Sequence, residues 1–282
     1  MTENPVVQAF APAKINLTLH VTGRRADGYH LLDSLVMFAD VGDRITASAA
    51  AETTLEIDGP KASSIPTGAD NIVFKAARLM GVTADIRLEK NLPAAAGIGG
   101  GSTDAAATLR ALSELSGVAL PKDSLSLGAD VPVCLSDAGA ARMQGVGDQV
   151  TAVHDLPVLN AVLVNPNIPV LTANVFANLK SRDNPPMPDT LPQGASTAEL
   201  IEWLRGMRND LEPAAIEAEP VIAQVFSTLE VTPGCLLARM SGAGGTCFGL
   251  YNDAETAAAA AGRLQEQNPG WWVVATQLNA PR

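Results

Sequence analysis

The alternation of apolar and polar residues predicts that the first part of the chain is mainly β-strand. Residues 15–21 read Ile-Asn-Leu-Thr-Leu-His-Val, and this period of two is typical of a half-buried strand. A helix is predicted over residues 71–80, with Asp70 as its N-cap. The other predicted strands of this part lie at residues 6–10, 31–39, 44–49, 54–57 and 84–89.

The second part of the chain mixes helical and strand-like segments. Residues 145–148, Gly-Val-Gly-Asp, predict a tight turn, and the four prolines of residues 183–192 predict an exposed loop. The pattern restarts near residue 155, so we predict two domains, residues 1–155 and 156–282, the second a layered β/α sandwich. Helices are predicted at residues 197–205, 220–229 and 254–267, and strands at residues 158–164, 236–240, 247–251 and 271–277.

A glycine-rich segment that leads directly into a predicted helix is the most informative part of the chain. Glycine lets a ligand approach the backbone closely, and a helix N-terminus offers N–H donors and a positive dipole end. We therefore predict a seat for a phosphate chain, with a flexible linker as the alternative. The segment comprises Pro93, Ala94, Ala95, Ala96, Gly97, Ile98, Gly99, Gly100, Gly101, Ser102, Thr103 and Asp104, and its helix is predicted to end near Leu115.

This segment differs from the two commonest phosphate-binding motifs. Ser102 stands where a P-loop requires lysine. A dinucleotide-binding fingerprint starting at Gly97 or Gly99 would need a glycine five residues later, where Ser102 and Asp104 stand.

Four further clusters could carry chemistry, and each has a structural alternative. Lys14, in Pro-Ala-Lys-Ile-Asn, could be a surface charge on a strand, and His30, in Asp-Gly-Tyr-His, a turn residue. Asp130, in Gly-Ala-Asp-Val-Pro, could be a helix cap, and the Ser-Gly-Ala-Gly-Gly-Thr of residues 241–246 a hairpin turn. Taken together, a cation, a carboxylate and two glycine-rich loops are the components of phosphoryl transfer.

Composition narrows the possible functions. The net charge of −11 argues against nucleic-acid binding, since no broad cationic face is available. Three scattered cysteines indicate neither disulfides nor a zinc site, and no hydrolase triad or paired metal ligands are evident, so no metal site built from protein ligands is predicted. No signal peptide or membrane-length apolar run is seen, so we predict a cytoplasmic protein without a membrane partner.

In their order along the chain, these motifs resemble those of the GHMP small-molecule kinase superfamily. Within it, residues 11–17, 25–31 and 127–133 resemble the kinases of the non-mevalonate route to isoprenoids. The resemblance implies an α+β fold with a ribosomal-S5-like N-terminal domain and a ferredoxin-like C-terminal α/β sandwich, and an active site in the cleft between them. Residues 94–96 are alanines where relatives often have more glycine, so this edge of the loop is expected to be stiffer.

The resemblance also implies an activity and roles for particular residues. The activity is ATP-dependent phosphorylation of the 2-hydroxyl of 4-diphosphocytidyl-2-C-methyl-D-erythritol, with ATP and Mg²⁺ as cofactors. Lys14 and Asp130 match the catalytic pair, residues 93–104 match the ATP phosphate loop, and Asn71 and Lys90 resemble residues near the adenosine. Residues implied to bind the substrate or to close over it are Asn16, Tyr29, His30, Thr172, Phe176, Gly242 and Gly244.

The nearest hydroxyl candidates for Mg²⁺ are those of Ser102 and Thr103, and we expect a small-molecule substrate and a monomer or weak homodimer.

Other functions stay open on the sequence alone. The alternatives are a related kinase acting on another alcohol, a nucleotide-binding regulator without catalysis, and an RNA-binding module.

Overall fold

The computed structural model describes residues 5–281, and these form two compact units made of interleaved segments. The first unit contains the described residues up to Ala13, together with Gly42–Ala94 and Gly99–Ser136. The second contains Lys14–Val41, Ala95–Ile98 and the residues from Asp137 onward. The predicted domain boundary near residue 155 stays a prediction.

Eleven strands and eight α-helices are found in the described residues, besides two short 3₁₀ turns. The strands are β1 (Val6–Asn16), β2 (His20–Arg24), β3 (His30–Ala49), β4 (Thr54–Asp58), β5 (Ala84–Glu89), β6 (Ala140–Gly145), β7 (Gln149–Ala152), β8 (Leu159–Asn165), β9 (Leu237–Met240), β10 (Cys247–Tyr251) and β11 (Trp272–Leu278). The helices are α1 (Ile72–Met80), α2 (Gly100–Ser116), α3 (Val131–Cys134), α4 (Thr172–Ala177), α5 (Thr197–Arg205), α6 (Glu212–Ala218), α7 (Val221–Glu230) and α8 (Ala254–Gln267).

The first unit is a small sheet with helices packed on it. The last six residues of β3 pair antiparallel with β5, and β4 pairs parallel with β5. Alternate residues of β5, among them Ile86 and Leu88, are buried, as the period of two predicted. Helices α1 and α2 contribute mainly alanine, valine and leucine to the same core. This packing holds the start of α2 on a rigid base.

The second unit contains a longer antiparallel sheet. Its strand order is β3-β11-β8-β10-β9, with β2 and β6 also paired to β3. Residues 161–164 of β8 are fully buried at its centre, and Val162 and Val164 belong to a core that also contains residues of α4, α6, α7 and α8. The turn that joins β9 and β10 is the glycine-rich segment of residues 241–246.

Several predicted elements differ from the structure. The strands predicted at 31–39 and 44–49 form one continuous strand, β3, whereas the strand predicted at 15–21 is divided between the end of β1 and the start of β2. The N-cap of α1 is Asn71, whose side chain accepts from the Val73 N–H, and the prediction of Asp70 is wrong by one residue. Helices α4 and α6 were not predicted, since each is at most seven residues long and lacks an extended period.

The proline-rich loop is exposed only in part. Met187 is 2% exposed, and its backbone N–H donates to Asp33 while its carbonyl accepts from Arg142. The Arg142 guanidinium also forms two hydrogen bonds to the Asp33 carboxylate, at 2.8 and 2.7 Å. The prediction of an exposed loop is therefore wrong at Met187, because a buried ion pair satisfies its backbone groups.

Candidate active site

The predicted phosphate seat lies at the start of α2 in the first unit. Gly99 is the N-cap in a left-handed conformation, with φ of 67°, which glycine adopts without strain. The first intrahelical bond runs from the Thr103 N–H to the Gly99 carbonyl, so the N–H groups before it have no acceptor within the helix. Since residues 100–104 of the segment belong to this helix, the alternative of a flexible linker is wrong for that part.

The hydroxyls of this first turn differ in availability. Thr103 is buried, and its Oγ1 donates to the carbonyls of Gly99 and Gly100. Ser102 is half-buried, and a Cβ on Gly101 would meet no described heavy atom within 4 Å. The surface beside Gly101 is therefore open to a ligand, and Ser102 is the better placed of the two hydroxyls.

The residues predicted near the adenosine make contacts within the protein. Asn71 caps α1 and donates its Nδ2 to the Pro66 carbonyl. Lys90 is 2% exposed, and its Nζ donates to Asp43 Oδ2 at 2.5 Å and to Asp104 Oδ2 at 2.7 Å. Their predicted contacts with ATP stay predictions.

In this buried cluster, burial and the attraction between opposite charges have opposing effects on the pKa values of Lys90 and Asp104. Burial works to lower the pKa of Lys90, but its attraction to Asp104 and Asp43 outweighs that effect, and the pKa is raised. Burial raises the pKa of Asp104 to about 7; Lys90 opposes the rise and Asp43 adds to it. Asp43 was missed by sequence reasoning, because an acidic residue after a glycine in a strand-like run resembles a surface turn.

Asp130 stands at the N-cap position of the short helix α3. Asp130 thus occupies the cap position that the structural alternative gave it, but its side chain makes no capping hydrogen bond to the described backbone. The residue is half-buried, and Pro132 is at one of the first two positions of the helix, where its missing N–H costs nothing. The backbone turn thus positions a carboxylate that is not needed for capping.

Lys14 lies near the end of β1, in the part of the strand that belongs to the second unit. It is 3% exposed, so the alternative of a surface charge is wrong. Its backbone N–H donates to the Ile98 carbonyl at 2.9 Å. This bond attaches the strand that carries Lys14 to residues 95–98 of the glycine-rich segment.

The two glycine-rich segments pack backbone against backbone within the second unit. A Cβ on Gly97 would come 2.5 Å from the carbonyl oxygens of Ser241 and Gly244, and one on Gly242 would come 2.5 Å from the Gly97 carbonyl. The Ser241 hydroxyl donates to that same carbonyl and accepts from the Asn16 N–H. Such close approach requires glycine at these positions.

Ala95 is strained. It adopts φ of 48°, a left-handed conformation that costs a residue with a Cβ about 1–2 kcal/mol. Its carbonyl accepts from the Val170 N–H, which ties the segment to the chain just before α4. An alanine in this conformation has less conformational freedom than glycine, in line with the expected stiffness.

Two of the residues predicted to bind the substrate stack on each other. His30, the first residue of β3, and Phe176 in α4 have ring centroids 4.6 Å apart and ring planes at 19°. Burial, with smaller contributions from Arg24 and Arg182, lowers the pKa of His30 below its usual 6.5. The imidazole is therefore neutral at pH 7.

Two buried polar atoms of the residues predicted to bind the substrate lack a hydrogen-bond partner among the described residues. Within residues 5–281, the buried His30 Nε2 and the buried Asn16 Oδ1 have no hydrogen-bond partner. Asn16 donates its Nδ2 to the Ser34 hydroxyl, which orients its amide. Tyr29 is 63% exposed, and Thr172 is exposed at the first turn of α4. Buried polar atoms without partners are costly and point to a ligand.

Asn209 is a further residue that sequence reasoning missed. Its Nδ2 donates to the carbonyls of Met240 and Gly242, both at 2.9 Å, and so supports the turn after β9. No local pattern marks it, because the contact is made by a residue far away in the sequence. It also lines a cavity of about 590 Å³ in the second unit, whose lining residues include none of the described residues predicted for ATP or substrate.

Neither a metal-binding cluster nor a membrane-spanning helix is found among the described residues. In the described part of the chain, no group of three or more His, Cys, Asp or Glu side chains could hold a metal ion. Among the described helices, none is both long and apolar enough to cross a bilayer.

Comparison with known proteins identifies the family. Residues 71–155 match the family model described as GHMP kinases N terminal domain, and residues 195–270 match GHMP kinases C terminal. A 4-diphosphocytidyl-2-C-methyl-D-erythritol kinase of Dinoroseobacter shibae is 54% identical over 273 residues, covering 96% of this chain and 95% of its own. The kinase of the same name from Paramagnetospirillum magneticum is 52% identical over 281 residues, covering 95% and 97%.

Solved structures agree with these relatives. A crystal structure of 4-(cytidine 5'-diphospho)-2C-methyl-D-erythritol kinase superimposes with a TM-score of 0.78 at 30% identity, covering 97% of this chain and 100% of that one. Homoserine kinase from Cytophaga hutchinsonii, at 16% identity and a TM-score of 0.70, covering 99% and 96%, shares the fold. The predicted GHMP kinase fold is thereby confirmed. The chain belongs to the 4-diphosphocytidyl-2-C-methyl-D-erythritol kinase family of the GHMP kinases.

Proposed function

We propose that this chain transfers the γ-phosphoryl group of ATP to the 2-hydroxyl of 4-diphosphocytidyl-2-C-methyl-D-erythritol, giving the 2-phosphate and ADP, in isoprenoid precursor biosynthesis. The observation that carries the proposal is the stacked pair of His30 and Phe176. The resemblance implies that both residues bind the substrate, and they lie far apart in the sequence. Their contact supports a site for an aromatic base.

The base is held by stacking on the aromatic pair and by buried polar atoms. A centroid distance of 4.6 Å leaves no gap for a third ring, so cytosine takes an outer face of the pair or separates the two rings. The neutral imidazole of His30 and the amide oxygen of Asn16 supply unpartnered buried atoms. A base that leaves such atoms unpaired is discriminated strongly, which favours cytosine over uracil.

The phosphates of ATP bind at the start of α2. The N–H groups of residues 99–102, which have no acceptor within the helix, and the positive end of the helix dipole are the donors for the phosphates, and the open surface beside Gly101 admits the phosphate chain. Mg²⁺ would be held mainly by the phosphates, with the Ser102 hydroxyl as the protein ligand. When bound, it neutralises charge on the phosphates.

In the transfer step Asp130 accepts the proton of the 2-hydroxyl. The alkoxide oxygen forms its bond to the γ-phosphorus, and the bond from that phosphorus to the bridging oxygen of ADP breaks. Lys14 stabilises the charge on the phosphoryl group in transit. We place this reaction in the cytoplasm and expect the protein to work as a monomer or weak homodimer.

A comparison of acceptors tests the proposed function. ADP release would be measured with the cytidine-containing alcohol, with its uridine analogue and with the bare polyol 2-C-methyl-D-erythritol, at equal ATP. We expect rapid turnover with the first and little with the others. Equal rates with the uridine analogue would refute the role given to the aromatic and polar atoms of the second unit.

Phe176→Ala should raise the KM for the cytidine substrate and leave the KM for ATP unchanged. Stacking of a base on an aromatic ring contributes about 1–3 kcal/mol, which corresponds to an increase of roughly fivefold to 150-fold. Phe176→Leu is the matched variant, because it keeps an apolar side chain in a position that packs against the core of the second unit. If Phe176→Leu binds the substrate as well as the wild type, stacking is not the source of the affinity.

A further inference from the structure

Three charged side chains from three separate segments meet in the interior of the first unit. Lys90 follows β5, Asp43 lies within β3, and Asp104 lies in the second turn of α2. The three are at most 3% exposed, and the Lys90 ammonium bridges the two carboxylates at 2.5 and 2.7 Å. Apolar residues of β3, β5, α1 and α2 form the hydrophobic core of the same unit.

This cluster holds both ends of the glycine-rich segment. The second oxygen of Asp43 accepts from the N–H groups of Asn91 and Leu92, at 2.6 and 2.8 Å, and so fixes the chain that enters the segment. Asp104 lies in the helix that follows the segment, and Lys90 links it to Asp43. A single buried ammonium thus connects the strand before the segment to the helix after it.

The ammonium also lies directly beside the first turn of α2. A Cβ on Gly100 would come within 3.3 Å of Lys90 Nζ, so the helix backbone and the ammonium are close neighbours. Any movement of Lys90 would therefore shift the backbone whose N–H groups are proposed to bind phosphate.

Burying three charges contributes little net stability to the fold. Well-packed apolar side chains of similar volume are often as stabilising as a buried ion pair, because desolvation offsets the attraction. Directional bonds, in contrast, fix the relative position of the groups that they join, and a binding site needs this precision. The geometry is therefore better explained by positioning than by stability.

We propose that Lys90, Asp43 and Asp104 are positioning residues for the nucleotide: they hold the first turn of α2 in the geometry that binds the phosphates of ATP, and they act through the backbone. This proposal rests on the proposed function, in which ATP binds at that turn. It differs from the sequence-based prediction that Lys90 and Asp104 touch the nucleotide.

Asp104→Ala tests the proposal, because it releases α2 while Lys90 keeps a carboxylate partner in Asp43. We expect the Kd of a non-hydrolysable ATP analogue with Mg²⁺, measured by calorimetry, and the KM for ATP to rise by at least about tenfold, since small displacements of binding groups are costly. The KM for the cytidine substrate should stay within about twofold. Asp104→Asn should recover most of the affinity, because its amide oxygen can accept from Lys90 Nζ.

Thr108→Ala is the matched control. Thr108 is a buried α2 residue whose hydroxyl donates to the Asp104 carbonyl, so its loss weakens the helix without releasing it from Lys90. We expect a lower melting temperature with unchanged ATP affinity. The proposal is overturned if Asp104→Ala binds the ATP analogue as tightly as the wild type, if Asp104→Asn does not recover the affinity, or if Thr108→Ala loses as much affinity as the Asp104 variant. Where the alanine variant does not fold, Asp104→Asn is measured in its place.

The two levels of the proposal fail in different ways. A wild-type protein that does not bind the ATP analogue would refute the proposed function itself. A wild-type protein that binds it, with Asp104→Ala binding equally well, would refute only the positioning role.

Discussion

Asp130→Asn is expected to lower the turnover number by about 10²–10⁴ while the KM for ATP changes little. The reason is that the amide cannot accept the proton of the 2-hydroxyl, whereas the groups proposed to bind the phosphates lie at the start of α2 and keep their structure. Turnover is measured as ADP release at saturating concentrations of both substrates.

The position of Asp130 at an N-cap makes asparagine the conservative replacement for this test. Asparagine is as good an N-cap residue as aspartate, and the native side chain makes no capping bond within the described residues, so α3 should be preserved. Asp123→Asn is the matched control: Asp123 also stands at an N-cap position, that of the 3₁₀ turn Ser124–Leu127, without a described capping bond. It should turn over at the wild-type rate. Normal turnover of Asp130→Asn would show that another group accepts the proton.

Local periodicity was sufficient to predict many elements of this fold. The predicted bounds of β5, β10, α5 and α8 agree with the structure residue for residue. In β5, α5 and α8 the buried side chains recur with the period of the element itself, and β10 is a short apolar run that is buried throughout. Capping residues such as Ser196 and Asp253 mark the helix starts. No distant part of the chain has to be known to read such a pattern.

Elements whose buried polar residues have their partners at distant positions in the sequence could not be predicted in the same way. The predicted break in β3 fell where Gly42 and Asp43 interrupt the apolar pattern. Asp43 is nevertheless fully buried, because Lys90, 47 positions later, supplies the counter-charge. A sequence pattern records that Asp43 is charged, but not that its partner exists.

The candidate site was predictable as a set of residues and not as an arrangement. The order of the motifs identified Lys14, Asp130 and both glycine-rich loops. The contact between His30 and Phe176 and the backbone packing of Gly97 against residues 241–244 depend on the tertiary fold. These contacts turn a list of residues into specific tests.

Gly97→Ala is expected to reduce both the free energy of unfolding and the activity. Its φ of 71° costs an alanine about 1–2 kcal/mol, and a Cβ placed 2.5 Å from two carbonyl oxygens adds about 1–3 kcal/mol of overpacking. The contacted atoms are backbone, so no side chain can rotate away, and the two glycine-rich segments must move apart. Unfolding in urea measures the stability, and ADP release measures the activity that remains at a temperature where the variant is folded.

Gly117→Ala separates the two causes of this loss. Gly117 has nearly the same backbone conformation, with φ of 73°, but a Cβ there would meet no described heavy atom within 4 Å beyond its chain neighbours. This variant should lose only the conformational part, about 1–2 kcal/mol, and keep its turnover. Gly97→Ala should lose more stability, and its turnover should fall by about a hundredfold, because a displacement near 1 Å in a site that positions phosphate has effects of that size. Equal losses in the two variants would mean that the contact between the loops yields easily, and that close backbone packing is not what orders the phosphate-binding segment.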